Sequence, residues 1–245
     1  MNILVTGSNG FIGRNIKSYI QKYTCHNLFE FNKNNEIDDL NNIVSDLDFV
    51  FHLAGVNRIN NNDISLFQNV NVELTRDLCQ IFSKNKNIRL LYASSKQANL
   101  DNDYGVSKRK AEDICYELEK QYGNKVIVLR LPGIFGPGCK PNYNSVVATF
   151  CFKIANQKEI RIFEENKVLE LIYVNDLCEY FLKLLNIDNY CNDKPILKSH
   201  HIKVIELANL INNFKNIFDS DNYPEFGNKF EKDLYQTFIS YKNYK

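Results

Sequence analysis

The chain of 245 residues is 44% hydrophobic and carries a formal net charge of +1. That composition can bury one large domain, or a domain with a small lobe. It excludes a global basic field for nucleic acid or an anionic membrane. No run of about 18 apolar residues exists, so no membrane span is expected, and the start Met1-Asn2-Ile3-Leu4-Val5 lacks the features of a signal peptide. The seven cysteines (Cys25, Cys79, Cys115, Cys139, Cys151, Cys178, Cys191) are scattered without zinc-ligand spacing. Buried reduced thiols in a cytoplasmic protein are expected, with no metal.

In chain order, residues 2–6 read as a strand, followed by a Gly-rich turn and a helix from Phe11 to about Tyr23. A second strand is expected over Leu28–Phe31 and a short helix over Ile37–Asp46. Asp48–Leu53 is an apolar run suited to a strand buried on both faces. Apolar residues at helical spacing mark Ile64–Ser83. A strand over Ile88–Ala93, a helix over Tyr104–Tyr122 stopped by Gly123, and a strand over Val126–Leu131 follow. The alternation predicts a parallel α/β sheet. Only a short stretch separates the second and third strands, so a trimmed, Rossmann-like doubly wound sheet is expected, with the 48–53 strand directly beside the first.

Beyond Leu131, Pro132, Gly133, Gly136, Pro137, Gly138 and Pro141 predict a loop. A helix near 144–156, a strand pair near 160–174, helices over Asp176–Leu185 and about Lys203–Phe218, and a polar, aromatic tail (Phe230–Tyr244) should follow. The division expected is a cofactor-binding domain over 1–133, to which 171–190 returns, and a smaller C-terminal substrate-binding lobe over 134–245.

Thr6–Gly13 (TGSNGFIG) spaces its glycines G-x-x-G-x-x-G between a strand and a helix. Gly7 would permit the tight turn, Gly10 would let a pyrophosphate approach, and Gly13 would let the helix pack close. The helix N-terminus would offer free N–H groups and a positive dipole end to that pyrophosphate. After the second strand, Asn32 and Lys33 should occupy the adenosine ribose corner, provided Glu30 lies inside the strand. Arg14 can approach the same corner. Two cations favour the 2′-phosphate of NADP(H); the alternative is ordinary solvated surface charge.

Tyr104 and Lys108 stand at i,i+4 on one helix face. An ammonium beside a tyrosine favours the phenolate and lowers its pKa from about 10. Ser94 and Ser95 lie at the carboxyl end of the preceding strand, where a hydroxyl can polarise a substrate carbonyl.

These segments, with HLAG at His52–Gly55, NVELT at Asn71–Thr75, Glu112 after the Tyr–Lys pair and YVND at Tyr173–Asp176, resemble the extended short-chain dehydrogenases, the epimerase/dehydratase family, over roughly residues 1–185. The resemblance implies Ser95, Tyr104 and Lys108 as the catalytic triad. It implies a nicotinamide cofactor contacted by Gly7, Asn9, Gly10, Phe11, Ile12, Gly13, Arg14, Lys33, Leu53, Ala54, Gly55, Asn71, Tyr104, Lys108 and Leu131. A narrower resemblance, carried by residues 52–58, 94–108, 139–155 and 230–235, is to the reductase half of the CapF-type capsular-polysaccharide enzymes. It implies NADPH-dependent reduction of the 4-keto group of a UDP-2-acetamido-2,6-dideoxyhexulose. Expected substrate contacts are Asn57, Arg58, Gln97, Lys140, Asn142, Asn144 and Ser145, with Arg161 a further candidate.

In CapF-type enzymes a C-terminal cupin performs 3-epimerisation. This sequence stops before a cupin, which leaves that step open or assigns it to a separate protein. Many nucleotide-sugar members carry an Arg where Leu169-Glu170 stand here. Lys96-Gln97 replaces the carboxylate expected of a 4,6-dehydratase, which disfavours that alternative. A 4-epimerase and a catalytically silent dinucleotide sensor remain as alternatives. A homodimer is expected through the helices over 64–84 and 104–122.

Overall fold

A computed structural model describes residues 1–59, 63–187, 198–220 and 224–242. The chain divides into two compact units: Met1–Leu131 with Cys178–Ile196, and Pro132–Leu177 with Leu197–Lys245. The sequence placed the boundary two residues later and started the return at 171; its last expected residues, from 188, lie outside the described residues, as does Cys191.

The first unit is a doubly wound parallel sheet. Strands β1 (Asn2–Thr6), β2 (Asn27–Phe31), β3 (Phe49–His52), β4 (Arg89–Ser95) and β5 (Lys125–Leu131) lie in the order β2-β1-β3-β4-β5, every pair parallel. β3 lies beside β1, as the short second-to-third spacing required, with Thr6 opposite His52. Strand alternation divides the core. Leu4, Val50, Leu90, Tyr92, Val126 and Val128 join one cluster with Leu78, Cys79 and Phe82 of α2 (Leu74–Phe82) and Ala111, Ile114, Cys115 and Leu118 of α3 (Asp103–Tyr122). On the alternate positions Ile3, Val5, Phe49, Phe51, Leu91, Ile127 and Leu129 are equally buried. α1 (Phe11–Tyr23) packs on β1 and β2, and Phe181 of α5 (Val174–Leu184) stacks on Phe51 at 5.3 Å.

Several elements differ from expectation. The stretch 37–46 forms two 3₁₀ turns, Ile37–Asn42 and Val44–Asp46, in place of one α-helix. The helix expected over 64–83 is a π-helical stretch over Phe67–Glu73 that passes into α2. Widening the helix there turns Asn71 into the protein, where its side chain is satisfied as described below.

The second unit holds β6 (Gly133–Phe135), α4 (Val146–Ala155), β7 (Val168–Tyr173), the start of α5, β8 (His200–Lys203), α6 (Val204–Asp219) and α7 (Lys229–Ser240). β7 is central, parallel to β6 and antiparallel to β8. Of the strand pair expected near 160–174, only the second strand forms; its partners come from 133–135 and 200–203, segments read as loop and linker. The polar, aromatic tail is helix α7, begun by Asn228, whose side chain accepts from the Glu231 N–H at 3.0 Å. α4, α6 and α7 pack together around Phe150, Ile154, Ile211, Phe214, Leu234 and Phe238. Among the described residues no helix is long and apolar enough to cross a membrane.

Candidate active site

The glycine turn has the geometry a pyrophosphate requires. Gly7 stands at φ +64°, and a Cβ there would meet Ala54 N at 2.7 Å and the Leu53 carbonyl carbon at 2.8 Å. The turn therefore packs directly on the HLAG segment, and no L side chain fits. A Cβ on Gly13 would collide with the Gly7 carbonyl, so α1 can begin this close to β1 only through glycine. The Gly10 N–H donates to Gly7 O at 2.8 Å, and Gly10 opens α1 without a side-chain cap. Asn9 and Gly10 are exposed, and the first helical amides, from Phe11, Ile12 and Gly13, are the uncapped donors of the helix start. The turn fits an anion, with the helix dipole adding to the attraction.

Glu30 lies inside β2, opposite Val5, and its carboxylate is taken by Lys17 at 2.6 Å. That bond holds its pKa below the ordinary value. Asn32 and Lys33 follow the strand, Asn32 half-buried and Lys33 exposed. Arg14 donates to the Asn9 carbonyl at 2.6 Å, which lays its guanidinium over the glycine turn.

A polar ladder crosses from this turn to the catalytic helix. The Thr6 hydroxyl oxygen accepts from Leu53 N and Ala54 N, both at 3.2 Å. Its proton is thereby left for His52 Nδ1 at 2.7 Å. The Thr75 hydroxyl donates to Asn71 O at 2.7 Å, so its oxygen accepts from His52 Nε2 at 2.9 Å. The network thus assigns His52 as the neutral Nε2–H tautomer. Burial pushes its pKa down to about 3, with the Lys108 charge acting in the same direction. The Asn71 side chain pairs with the backbone of Val56 at 2.8 and 2.9 Å and donates to Ser107 Oγ at 2.9 Å. Ser107 Oγ donates in turn to the Tyr104 carbonyl at 2.7 Å.

Ser95, Tyr104 and Lys108 come together in the same unit. Ser95 Oγ accepts from Gln97 N at 3.2 Å, and its side chain lies near enough to the Tyr104 hydroxyl to act on its titration. Burial raises the Tyr104 pKa; the neighbouring Ser95 acts in the opposite sense. Lys108 was expected to lower that pKa. Instead its ammonium is turned to the Ala93 carbonyl at 2.8 Å and over the Tyr92 ring at 4.1 Å. Lys108 is 5% exposed, and burial brings its own pKa down to about 7 against the opposing pull of Cys115 and Glu112. A Cβ on Gly55 would stand 3.1 Å from Asn71 Oδ1 and 4.0 Å from Lys108 Nζ. Cofactor and catalytic candidates therefore converge at one place. Leu131 ends β5 in register with Ser95. Asn57, Arg58 and Gln97 are exposed in the same unit.

The remaining substrate candidates lie in the second unit. Ser145 caps α4 by accepting from Ala148 N at 3.2 Å. Asn142 takes φ +56° and donates its N–H to Thr149 Oγ1 at 3.0 Å. Lys140 stands 5.6 Å from the Tyr143 ring centre, and Asn144 is exposed. His200 is stacked on Phe230 at 3.7 Å, and His201 faces Glu170 at 3.9 Å.

Sequence reasoning passed over Arg109, Arg130 and Asn99. Arg130 grips Glu112 through Nη2 at 2.5 Å and Nε at 2.9 Å, and donates to Asn99 Oδ1 at 2.5 Å. Glu112 also accepts from Ser94. No spacing rule marks these contacts, because they join residues distant in sequence.

The NAD-dependent epimerase/dehydratase family model matches residues 3–192. The chain belongs to that family. Over 245 aligned residues it is 36% identical to the UDP-2-acetamido-2,6-beta-L-arabino-hexul-4-ose reductase of Pseudomonas aeruginosa, covering 98% of this chain and 65% of that protein. The crystal structure of the capsular polysaccharide assembling protein CapF from Staphylococcus aureus matches with a TM-score of 0.87 at 36% identity, covering 98% of this chain and 66% of that one. The UDP-glucuronic acid 4-epimerase of Bacillus cereus, solved with UDP-glucuronic acid and NAD, superposes with a TM-score of 0.84 at 15% identity over 99% of both chains, a likeness of fold. The family member described here thus spans a little under two thirds of the reductase it matches, and its resemblance to CapF-type proteins runs nearly its whole length.

Proposed function

We propose that this chain is an NADPH-dependent reductase of the 4-keto group of a UDP-2-acetamido-2,6-dideoxyhexulose, acting in the cytoplasm as a homodimer. The observation that carries this reading is the Ser95–Tyr104 hydroxyl pair beside the point where Gly55, Asn71 and Lys108 converge. The name borne by the Pseudomonas relative supports the substrate class. The thiols of Cys25, Cys79, Cys115, Cys151 and Cys178 suit a reducing compartment.

A dinucleotide held by its pyrophosphate at the glycine turn would supply a hydride from its reduced nicotinamide. The chain's own residues supply the rest. Ser95 donates to the ketone oxygen and polarises it. Tyr104, held protonated by burial, is the proton donor that a reduction needs. When it gives up that proton, Ser95 is the neighbouring group that favours the phenolate. Lys33 and Arg14 are the cations for the 2′-phosphate.

The test is NADPH oxidation against a panel of UDP- and dTDP-4-ketosugars. Tyr104→Phe keeps the ring and removes the proton donor, so turnover should fall at least about 10²-fold with NADPH binding retained. Near-wild-type reduction by that variant would overturn the assignment. Tightly retained cofactor and interconversion of UDP-sugars without net oxidation would mark an epimerase instead. The cofactor choice is tested by fluorescence titration: Lys33→Glu should cost at least about tenfold in NADPH affinity, about 1.4 kcal/mol, with little effect on NADH. Equal or tighter NADH binding by the unaltered protein would refute the NADPH assignment.

A further inference from the structure

The segment between Ser95 and Tyr104 has little apolar anchorage. Lys96, Gln97, Asn99, Leu100, Asp101, Asn102 and Asp103 are all exposed, and only Ala98 is buried. A surface segment of this kind is ordinarily mobile, because ordering a backbone without burial is opposed by conformational entropy. Here it links the two hydroxyls of the candidate chemistry, so its conformation sets their separation.

Polar ties replace the missing core contacts. Arg109, one residue past Lys108 on α3, directs Nη1 at the carbonyls of Ala98 (2.7 Å) and Leu100 (2.8 Å) and Nη2 at the Asp101 carboxylate (2.7 Å). The planar guanidinium fork thus reaches three acceptors along the segment, a geometry that a lysine ammonium cannot reproduce. The Leu100 N–H closes the turn on Gln97 O at 2.8 Å, and Asn102 caps α3 through the Gly105 N–H at 2.7 Å. A Cβ on Gly105 would collide with the carbonyls of Gln97 and Leu100, so the helix start lies directly against the turn. Arg130 holds the far side through Asn99.

We infer that Arg109 is a positioning residue for this active site: its guanidinium, seated on the Ala98 and Leu100 carbonyls and the Asp101 carboxylate, fixes the 96–101 segment so that Ser95 and Tyr104 are in register before substrate arrives. The inference rests on the reductase reading above and adds a residue to it that touches neither substrate nor cofactor. A displacement of about 1 Å at a reacting group can cost about 10²-fold in rate, so a loosened segment acts on kcat first. It also loosens the placement of Ser95 beside Tyr104, and Ser95 is the one group opposing the burial that raises the tyrosine's pKa.

The experiment compares Arg109→Met, Arg109→Lys and Tyr104→Phe with the unaltered enzyme, using NADPH and the ketosugar that serves best. Arg109 is about one-third exposed, so methionine keeps the stem's packing without burying a charge. Arg109→Met is expected to lower kcat at least about tenfold with KM for the sugar and Kd for NADPH within about twofold. The alkaline limb of its kcat–pH profile should move upward, and Arg109→Lys should recover only part of the loss. A purely structural role would lower thermal stability while leaving kcat per folded enzyme and the pH profile unchanged; that result overturns the inference. So would full recovery by lysine, which would show that charge alone is needed. If Tyr104→Phe retains activity, the reductase reading has failed; if Tyr104→Phe is inactive and Arg109→Met is not, only the positioning role has.

Discussion

Lys108 illustrates how one residue can serve a site at the expense of the fold. Its ammonium is buried with one carbonyl partner and one aromatic face, and burial pulls its pKa down to about 7. The sign of the linkage follows. The folded pKa lies below the unfolded one, so the penalty of burying the charge is fully present below pH 7 and is relieved as pH rises from about 7 towards the unfolded value. Lys108→Met retains the stem and removes the charge. It is therefore expected to raise the melting temperature at pH 6, by about 2–4 °C for each 1 kcal/mol gained, while abolishing ketosugar reduction. Calorimetry at pH 6 and pH 9 checks this: the gain should shrink at the higher pH, and a lowered melting temperature at pH 6 would show that the buried ammonium stabilises the fold. The Tyr–Lys spacing was legible in the sequence because an i,i+4 pair shares a helix face whatever surrounds it. The direction of the Tyr104 shift was not, because burial and the Ala93 carbonyl belong to the folded molecule.

At the scale of elements, the sheet and its flanking helices were readable because their apolar periods are long and clear. The elements that escaped are those without a period. β6 and β8 are short strands that exist through pairing with β7, and a Pro/Gly-rich or polar segment gives no sign of its partner. α7 had a readable start in Asn228 and Glu231, a side-chain cap with a carboxylate three residues on, hidden by the polar sequence around it. The π-helical stretch was missed for another reason: its apolar residues follow a helical spacing, and only the inward amide of Asn71 explains the widened turn. The ladder from Thr6 through His52 and Thr75 to Asn71 binds β1, β3 and α2 with each polar atom given a partner. Because the folded pKa of His52 lies near 3, the unfolded chain takes up its proton first as pH falls through about 6.5. The stability that the neutral ring contributes is present above that pH and is lost towards pH 3, by up to about 1.4 kcal/mol per pH unit. A His52→Gln variant should be less stable at pH 7 by about 1–3 kcal/mol through unsatisfied hydroxyls, and its denaturant midpoint should fall less steeply between pH 6.5 and 4.5. Parallel pH dependence in variant and wild type would show that the ring is not neutral in the fold.

For the whole molecule, the two units differ in what holds them: a parallel sheet covered on both faces in one, a three-stranded sheet and three packed helices in the other. The homodimer expected from the sequence rests on apolar residues of the helices over 64–84 and 104–122; most of those residues are consumed by the unit's own core, while Ile64 and Leu66 stay exposed. What these helices turn outward is chiefly charged: Arg76, Asp77 and Gln80 on α2, and Lys110, Asp113, Tyr116, Glu117 and Lys120 on α3. A twofold axis between such faces can set acidic side chains of one copy against basic side chains of the other, since the same patch meets itself. Tyr116, 39% exposed, is an aromatic anchor on the outward face of α3. The dimer proposed here is therefore an electrostatically assembled one and should weaken with salt. Sedimentation at micromolar concentration and low ionic strength should give twice the 28.6 kDa chain mass, shifting towards monomer as salt rises through about 0.5 M, where screening reaches within about 5 Å. Tyr116→Asp should be monomeric at low salt with an unchanged far-UV spectrum. A protein that sediments as a monomer at low salt would refute the dimer, and a salt-insensitive dimer unaffected by Tyr116→Asp would place the interface on another surface.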